Sequence, residues 1–320
     1  MNQEKNNFGM FVVSLDFELN WGVRDVFNIK EYGKNILKGR DAIPKILLLF
    51  KKNDICATWA SVGLLTFFNK KDLINNIPDN LPKYLNTHLN PYKFLLNVGE
   101  NEKSDPYHFG YSLIREIEQT PGMEIGSHTF SHYYCLEKND NKSAFYSDLL
   151  ASHNAFSRLG IQTDSLIFCR NQYDNYSISI AKKAGFKFFR GNENHWLYRP
   201  RPKNLESLPL RALRFSDSYI NISGNHLNSI MRKEFINVPS SRFLRPTGYS
   251  ALEKMRIIRI KAAMTQAAIT GKCFHLWWHP HNFGKNTSEN LIFLGEIIKH
   301  YVILKDTYGM KSLNMKSVLS

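Results

Sequence analysis

Residues 123–132 read Met-Glu-Ile-Gly-Ser-His-Thr-Phe-Ser-His, a short strand pattern that runs directly into two histidines. Residues 120–122, Thr-Pro-Gly, precede this strand and end a predicted helix over 112–119. In α/β folds, polar residues that follow a buried strand gather at the carboxyl edge of the sheet, where functional sites are built. This stretch therefore predicts both the class of fold and the place of a site.

Strand and helix patterns alternate along most of the chain. Strands are predicted at 11–15, 55–60, 123–126, 165–169, 186–189 and 273–278, and helices at 39–52, 112–119, 143–159, 176–184, 249–270 and 288–304. Repeated β-α units indicate an α/β fold with a parallel sheet covered by helices, and the number of strands favours a barrel over an open sheet.

The domain organisation is predicted to be simple. With no repeat, low-complexity tract or linker, the chain is expected to form one domain over 1–320, with its core at about 11–284. Residues 69–110, rich in Asn, Pro and Lys, are interpreted as an insertion with partial helix. Residues 191–248 are interpreted as a second insertion of irregular structure.

Composition excludes several classes of protein. Apolar residues make up 43% of the chain and charged residues 22%, which is typical of globular proteins, and no apolar run is long enough to cross a bilayer. The N-terminal residues lack a signal-peptide pattern, so a cytoplasmic location is expected. The cysteines are far apart and indicate free thiols rather than a disulfide framework: Cys56, Cys135, Cys169 and Cys273.

The net charge of +14 favours an anionic partner. Lys and Arg are scattered without a dense basic tract, so no specific nucleic-acid partner is predicted. A phosphate-bearing substrate, or weak attraction to an anionic membrane surface, fits this charge better. The sequence does not indicate an oligomeric state.

His128 and His132 form the most specific chemical pattern. Two histidines four residues apart lie on one face if the segment is helical, and both imidazoles can then reach one cation. Zinc, iron(II), cobalt and nickel all accept two imidazoles and a carboxylate. The alternative, two surface histidines in a polar loop, is disfavoured by the buried strand directly before them.

Asp16 and Glu18 end another predicted strand. Residues i and i+2 share one face of a strand, so both carboxylates can point into one pocket. One carboxylate can ligate a metal while the other takes a proton from water, as metal-assisted hydrolysis requires. The alternative is a pair of solvated carboxylates in a turn.

Two more strands end in residues that carry chemistry. Arg170 follows the strand at 165–169, and His279 and His281 follow the strand at 273–278. His279 suits protonation of a leaving amine, because imidazole exchanges protons near neutral pH. The alternative for His279 is a structural role at the edge of a Trp-rich core.

The order of these motifs resembles the polysaccharide deacetylase family, whose members share the NodB-homology domain and are similar to carbohydrate esterase family 4. The resemblance rests on the strand ending in Asp16-Phe17-Glu18, then on 57–63, and then on 124–132 with its His-Thr-Phe-Ser-His element. Weaker matches are Arg170, Trp196 in an aromatic motif, and the late motif Leu-Trp-Trp-His at 276–279. The resemblance covers about 11–284.

The resemblance implies a distorted (β/α)7-type barrel that removes an acetyl group from an N-acetylated sugar. It implies one divalent metal ion, with zinc the first expectation, and the following roles: Asp16 as general base; Glu18, His128 and His132 as metal ligands; Arg170 as the partner that orients and charge-pairs with the base; and His279 as general acid. Trp196, Trp278 and His281 are the candidate substrate contacts, although a core position is the safer expectation for at least one of Trp277 and Trp278.

The sequence departs from the family pattern at two of these places. Adjacent aspartates are replaced by Asp16-Phe17-Glu18, so the roles of base and ligand could be exchanged. Residues 171–173, Asn-Gln-Tyr, stand where the family has a proline-containing run, so a different groove is expected there.

The expected function is hydrolysis of an N-acetyl group on an amino sugar, within a lipid- or nucleotide-linked precursor of a surface polysaccharide. One alternative is N-deformylation or opening of a small cyclic amide on the same barrel. An alternative of another class is a catalytically inactive carbohydrate-binding barrel, which is disfavoured because all the expected catalytic residues are retained together.

Overall fold

The computed structural model describes residues 8–248 and 250–320; residues 1–7 and 249, including the first residue of the helix predicted over 249–270, lie outside the described residues. The strands are β1 (Met10–Phe17), β2 (Ala57–Ser61), β3 (Met123–Ser127), β4 (Ser165–Leu166), β5 (Phe188–Phe189), β6 (Ile236–Asn237), β7 (Arg242–Phe243), β8 (Cys273–Trp278) and β9 (Lys311–Leu313). The helices are α1 (Ile29–Lys52), α2 (Lys70–Asn75), α3 (Tyr111–Glu118), α4 (Ala144–Ser157), α5 (Asn175–Lys183), α6 (Leu208–Asp217), α7 (Ser250–Thr270) and α8 (Thr287–Tyr308).

The strands form one parallel sheet that curls into a barrel. Their order is β6-β5-β4-β3-β2-β1-β8-β7, and β9 pairs with the first residues of β1. The edge strands β6 and β7 are joined by only four residues, 238–241. Within this connection Val238 N–H donates to Phe189 O (2.9 Å) and Ser241 N–H donates to His275 O (2.8 Å). The two edges therefore approach each other, and the predicted α/β fold and distorted (β/α)7-type barrel are confirmed.

Strand β1 separates two apolar layers. Met10 and Val12 belong to the cluster inside the barrel, whereas Phe11 and Val13 belong to the larger cluster between the sheet and its helices. Because side chains alternate along a strand, Asp16 follows the inward-facing set. The alternation thus directs this carboxylate into the barrel at the carboxyl end of the sheet.

Helix α1 is longer than the sequence pattern predicts. It begins at Ile29 rather than at residue 39, and the Asn28 side chain caps it by accepting from Glu31 N–H (3.0 Å). Gly33 and Gly39 weaken the helical pattern of the first turns, which the sequence pattern therefore misses. The predicted apolar face is buried as expected: Ile43, Ile46, Leu47 and Phe50.

Gly39 allows close packing between α1 and the chain after β8. A Cβ at this position would lie 2.5 Å from the Cα of His281. A larger side chain would push the two backbones apart, so this glycine lets α1 support the segment that carries His279 and His281.

Two parts of the chain differ from the prediction. The stretch 191–248, predicted to be irregular, contains α6, β6 and β7, and β9 was not predicted. The two-residue strands are too short to show a period, and Pro209, a residue type common in loops, here occupies the first turn of α6. The stretch 69–110 has partial helix, as predicted, in α2.

In the described part of the chain no helix is long and apolar enough to cross a membrane.

His275 lies in a polar layer inside the barrel. Its Nδ1 lies 3.0 Å from Val238 O and its Nε2 lies 2.8 Å from Ser14 Oγ. Ser14 Oγ also accepts from Arg190 Nη1 (3.0 Å). Burial, together with the nearby Arg190 charge, lowers the pKa of His275 to about 3, so the imidazole is neutral in the folded protein.

We predict that His275→Gln makes stability less dependent on pH. The pKa of His275 is about 3 when folded and about 6.5 when unfolded, so the unfolded chain binds one more proton between these values. This contribution to stability is therefore complete above about pH 6.5 and decreases, by up to about 1.4 kcal/mol per pH unit, as the pH falls toward 3.

The measurement is the free energy of unfolding by denaturant at several pH values between these limits. The variant should lose less stability than the wild type on acidification, because glutamine can keep both hydrogen bonds without titrating. Equal pH slopes for the two proteins would contradict this account of His275.

Candidate active site

The histidines and carboxylates predicted from separate motifs meet at the carboxyl edge of the sheet. Glu18 Oε2 lies 2.9 Å from His132 Nε2 and 3.3 Å from His128 Nε2, and all three side chains are buried. Burial alone would raise the pKa of Glu18, but His279 and His132 hold it well below its usual value. The carboxylate is thus ionised and faces two imidazole nitrogens.

The two histidines are brought together by a loop and not by a helix. Residues 128–134 are not helical, so the helix that would place both histidines on one face is absent. Thr129 (φ 61°) and His132 (φ 58°) instead adopt the left-handed region, and the two imidazole centroids lie 5.0 Å apart. Such conformations cost about 1–3 kcal/mol each and cluster at functional sites.

Asp148 on α4 holds this loop in place. Its carboxylate accepts from Phe130 N–H (2.8 Å) and from Ser131 N–H (3.2 Å), and it also bonds the Ser131 hydroxyl. Burial raises the pKa of Asp148 to about 7 despite these hydrogen bonds. The loop that carries both histidines is therefore fixed from beneath by a buried side chain of a helix.

The donor set fits a divalent cation. His128 Nδ1 bonds Ile167 O (2.9 Å), which leaves Nε2 directed at Glu18 but without a hydrogen-bond partner although it is buried. Two ligands at about 2.1 Å from one tetrahedral ion lie about 3.4 Å apart. The Glu18–His128 separation of 3.3 Å is close to that spacing.

Cys169 also lies beside this site, although its sequence context predicts only a free thiol. Donor atoms of His128, His132 and Cys169 lie within 4.8 Å of one another, and all three residues are buried. Burial alone would raise the pKa of Cys169, but His128 and His132 lower it to about 6. The two imidazoles therefore have a carboxylate on one side and an acidic thiol within reach. The carboxylate contacts the two imidazole nitrogens at 2.9 and 3.3 Å.

Asp16 is paired with Arg190 and not with Arg170. Arg190 donates to both carboxylate oxygens of Asp16 (Nη1–Oδ1 2.7 Å, Nη2–Oδ2 2.8 Å), and the pair is almost completely buried. Burial alone would raise the pKa of Asp16, but Arg190 and then His128 lower it. Phe188 faces the barrel interior, and Arg190, two residues later, faces the same way because side chains alternate along a strand. Arg190 also follows a predicted strand directly, as Arg170 does, so the same sequence argument applied to both arginines.

Arg170 has a different partner, which corrects the predicted pairing. It donates to both oxygens of Asp25 (2.6 and 2.5 Å) and lies over the ring of Tyr134, 4.2 Å from its centroid. Tyr134 in turn packs edge-on against His132. With φ values of 56° at Arg170 and 53° at Asn171, the chain turns sharply after β4 and carries the guanidinium away from Asp16.

His279 lies between the two carboxylates. Its Nε2 is 3.7 Å from Asp16 Oδ2 and 3.7 Å from Glu18 Oε1, and its side chain keeps 24% of its exposure. His281 Nδ1 lies 3.9 Å from Glu18 Oε1, and this ring is buried. Burial lowers the pKa of His281 to about 4, although Glu18 opposes this effect. His279 is thus the histidine of this pair that solvent can reach.

Neither predicted tryptophan contacts this cluster. Trp278 is fully buried between Phe50 and Phe283, so its predicted contact with substrate is wrong. Alternation along β8 instead directs Trp277 toward the barrel interior, 4.1 Å from the Arg190 guanidinium. Trp196 is half exposed, and in the described residues the aromatic ring paired with it is that of His195.

A family model supports the resemblance. Residues 31–189 match the model described as polysaccharide deacetylase, a span that includes His128 and His132. Over this span, which is 159 of the 320 residues, the chain is similar to the polysaccharide deacetylase family. Asp16, Glu18, Arg190 and His279 lie outside the matched span, so their part in the site rests on the geometry alone. No curated protein sequence matches the chain.

Solved structures show the same fold. A Mycobacterium smegmatis protein assigned to the polysaccharide deacetylases superposes with a TM-score of 0.60 at 12% identity, over 99% of this chain and 91% of that one. The Puue allantoinase has a TM-score of 0.56 at 11% identity, over 96% and 88% of the two chains. A Pseudomonas aeruginosa PAO1 protein, also assigned to the deacetylases, has a TM-score of 0.56 at 10% identity, over 97% and 89%. These likenesses show the fold alone.

We predict that Gly22→Ala weakens divalent-metal binding while the protein stays folded. A Cβ at position 22 would lie 2.0 Å from the Glu18 Cδ and would displace its carboxylate from His128 and His132. Loss of the correct ligand geometry should lower zinc affinity by about 10- to 100-fold, measured by calorimetric titration of metal-free protein.

The matched control is Gly295→Ala on α8, where a Cβ would meet no atom within 4 Å. Because alanine favours a helix over glycine by about 0.5–1 kcal/mol, this variant should bind zinc normally and be slightly more stable. Unchanged zinc affinity in Gly22→Ala would contradict the placement of Glu18 at a metal site.

Proposed function

We propose that this protein is a metal-dependent hydrolase that removes the N-acetyl group from an amino sugar. The observation that carries the proposal is that the two carboxylates have different partners. Asp16 is held by Arg190, Glu18 faces His128 and His132, and the accessible His279 lies 3.7 Å from each. This arrangement of side chains around one point at the sheet edge supports the roles of base, metal ligands and acid that we propose below.

Glu18, His128 and His132 are the proposed ligands. Two imidazoles and one carboxylate suit zinc first, and also iron, cobalt or nickel. A divalent ion held there supplies positive charge that polarises an amide carbonyl and makes a nearby water more acidic. The buried Nε2 of His128, which lacks a hydrogen-bond partner, supports this assignment.

Asp16 is the proposed general base. Its lowered pKa keeps it ionised at neutral pH, and the two hydrogen bonds from Arg190 fix the orientation of its carboxylate. From this position it can accept a proton from the attacking water. Glu18 is occupied by the two imidazoles, so exchange of the two roles is not favoured.

His279 is the proposed general acid. It is partly exposed, close to both carboxylates and at the edge where substrate can enter. Imidazole can hold a proton near neutral pH and deliver it to the departing amine, which makes the amine a competent leaving group.

The proposed substrate is a lipid- or nucleotide-linked precursor of a surface polysaccharide. The support for a phosphate-bearing carrier is the net charge of +14, which attracts anionic ligands. Lys203, which reaches Asp25 beside Arg170 (3.3 Å), places part of this charge near the site.

We predict that zinc-loaded protein releases acetate from N-acetylated amino sugars attached to such carriers. Asp16→Asn should lower kcat by about 10²–10⁴-fold, because the reaction loses its base. His279→Ala should lower kcat within the same range, because the amine then leaves unprotonated. Mass spectrometry of candidate nucleotide- and lipid-linked sugars, with metal-stripped protein as control, provides the measurement.

Release of formate alone, from the N-formyl analogues, would replace this proposal with N-deformylation. If the protein binds no stoichiometric divalent ion and His128→Ala changes no property, the inactive carbohydrate-binding barrel is the correct reading.

We predict that Arg190→Gln shifts the acidic limb of the kcat/KM profile to higher pH. Without the guanidinium, burial raises the pKa of Asp16, so ionisation of the base requires a higher pH. Arg170→Gln removes an arginine that does not contact Asp16, so its acidic limb should stay in place. If the acidic limb shifted in the Arg170 variant and not in the Arg190 variant, the pairing of Arg170 with Asp16 predicted from the sequence would be correct.

A further inference from the structure

Exposed apolar side chains are concentrated in one segment that the proposed chemistry does not use. Of the large apolar side chains that are exposed in the described residues, six lie within residues 205–222, on α6 and beside it. They are Leu205, Leu208, Leu213, Phe215, Ile220 and Ile222. Leu208 is 75% exposed and Ile220 is 58% exposed. Such a concentration of exposed apolar side chains in one segment is typical of an interaction surface rather than of the scattered exposure of a normal surface.

The chain that leads into this segment adds basic charge. Residues 196–222 contain five Lys or Arg residues and two acidic ones. Asp217 is completely buried with Arg242 and Arg259, and Glu206 is paired with Arg214. The acidic side chains are therefore already neutralised, and the remaining exposed charge is positive.

Arg199 and Arg211 are part of this remaining charge. Both are exposed, and within residues 8–248 and 250–320 neither side chain has a hydrogen bond, an ion pair or a ring contact. Apolar and basic side chains thus occur together on the surface of α6 and the residues before it.

Helix α7 extends this surface. Arg259 Nη1 donates to Ile220 O (2.9 Å), which places α7 beside the chain that follows α6. Ile258 and Met255 on α7 are 67% and 44% exposed. Together, residues 196–222, Met255 and Ile258 form what we call the α6–α7 surface.

The α6–α7 surface reaches the proposed active site. Arg245 lies over the Phe215 ring (5.5 Å) and over the Phe243 ring (5.7 Å), and Phe243 lies 5.8 Å from His279. On another side, Lys203 bonds Asp25, the partner of Arg170. A molecule covering this surface would therefore stand next to the entrance used by substrate.

We propose that the α6–α7 surface docks on an anionic lipid bilayer. Apolar side chains interleaved with unpaired arginines match a membrane interface, where the apolar groups enter the acyl boundary and the cations meet phosphate headgroups. A second copy of the chain would bring its own net charge of +14 against this basic surface, so charge complementarity favours lipid.

Docking in this way places the active-site edge at the bilayer, where a lipid-linked sugar would be presented. That consequence rests on the proposed function, whereas the docking itself does not. Docking on a bilayer therefore favours a lipid-linked sugar over a nucleotide-linked sugar as the substrate.

The test is co-sedimentation of the full chain with vesicles of phosphatidylcholine, alone or mixed with phosphatidylglycerol. We expect binding to the mixed vesicles that weakens with salt. The double variant Leu208→Ser/Phe215→Ser should bind about tenfold more weakly, and Arg211→Gln about fivefold more weakly.

Matched controls lie on α8. Ile292 is 69% exposed and Lys299 is an exposed basic residue paired with Glu296, so Ile292→Ser and Lys299→Gln remove one apolar side chain and one positive charge away from the surface. These variants should bind the mixed vesicles as the wild type does. Circular dichroism and thermal unfolding establish that each variant is folded.

Absence of binding to mixed vesicles, or equal weakening by the α8 controls, would overturn the proposal. Self-association of the wild type that is lost in Leu208→Ser/Phe215→Ser would assign the surface to a second copy instead. The proposed function is tested separately, because Asp16→Asn should still bind vesicles, and the α6 double variant should still hydrolyse a water-soluble N-acetyl sugar.

Discussion

The buried ion pair between Asp16 and Arg190 is the interaction on which the site depends. It connects the end of β1 to the residue that follows β5, across the interior of the barrel, and both side chains are nearly inaccessible. Removing one partner of such a pair costs about 3–5 kcal/mol, because the other charge is left buried without compensation. The pair therefore fixes one carboxylate in place and leaves Glu18 free to face the histidines.

The surroundings of this pair are built to hold it. Ser14 bonds Arg190 and the neutral His275 beneath it, and Trp277 covers the guanidinium from β8. A low-dielectric interior strengthens charged hydrogen bonds, but only when each charge is matched. Inside the barrel, a short polar layer next to the apolar cluster provides a partner for each of these charges.

Backbone strain is concentrated in the same region. Leu19, Thr129, His132, Arg170 and Asn171 all have φ between 46° and 61°, although none is glycine. The segments concerned follow β1, β3 and β4, the strands whose carboxyl ends form the site. Because these conformations persist only when packing determines them, the rigid sheet stabilises the geometry that the side chains need.

Patterns in the sequence were sufficient to predict the alternation of strands and helices, the barrel and the convergence of five side chains: Asp16, Glu18, His128, His132 and His279. These features depend on local periodicity and on the rule that parallel strands end at one edge. Tertiary structure alone decided that Arg190 and not Arg170 meets Asp16, a contact between residues 174 positions apart. It also decided that Trp278 packs in the core and that Cys169 lies beside the histidines. A position at the end of a strand shows that a side chain reaches the edge where the site lies. The partner of that side chain depends on the curvature of the sheet and on the turn after the strand. Neither of these has a local pattern in the sequence.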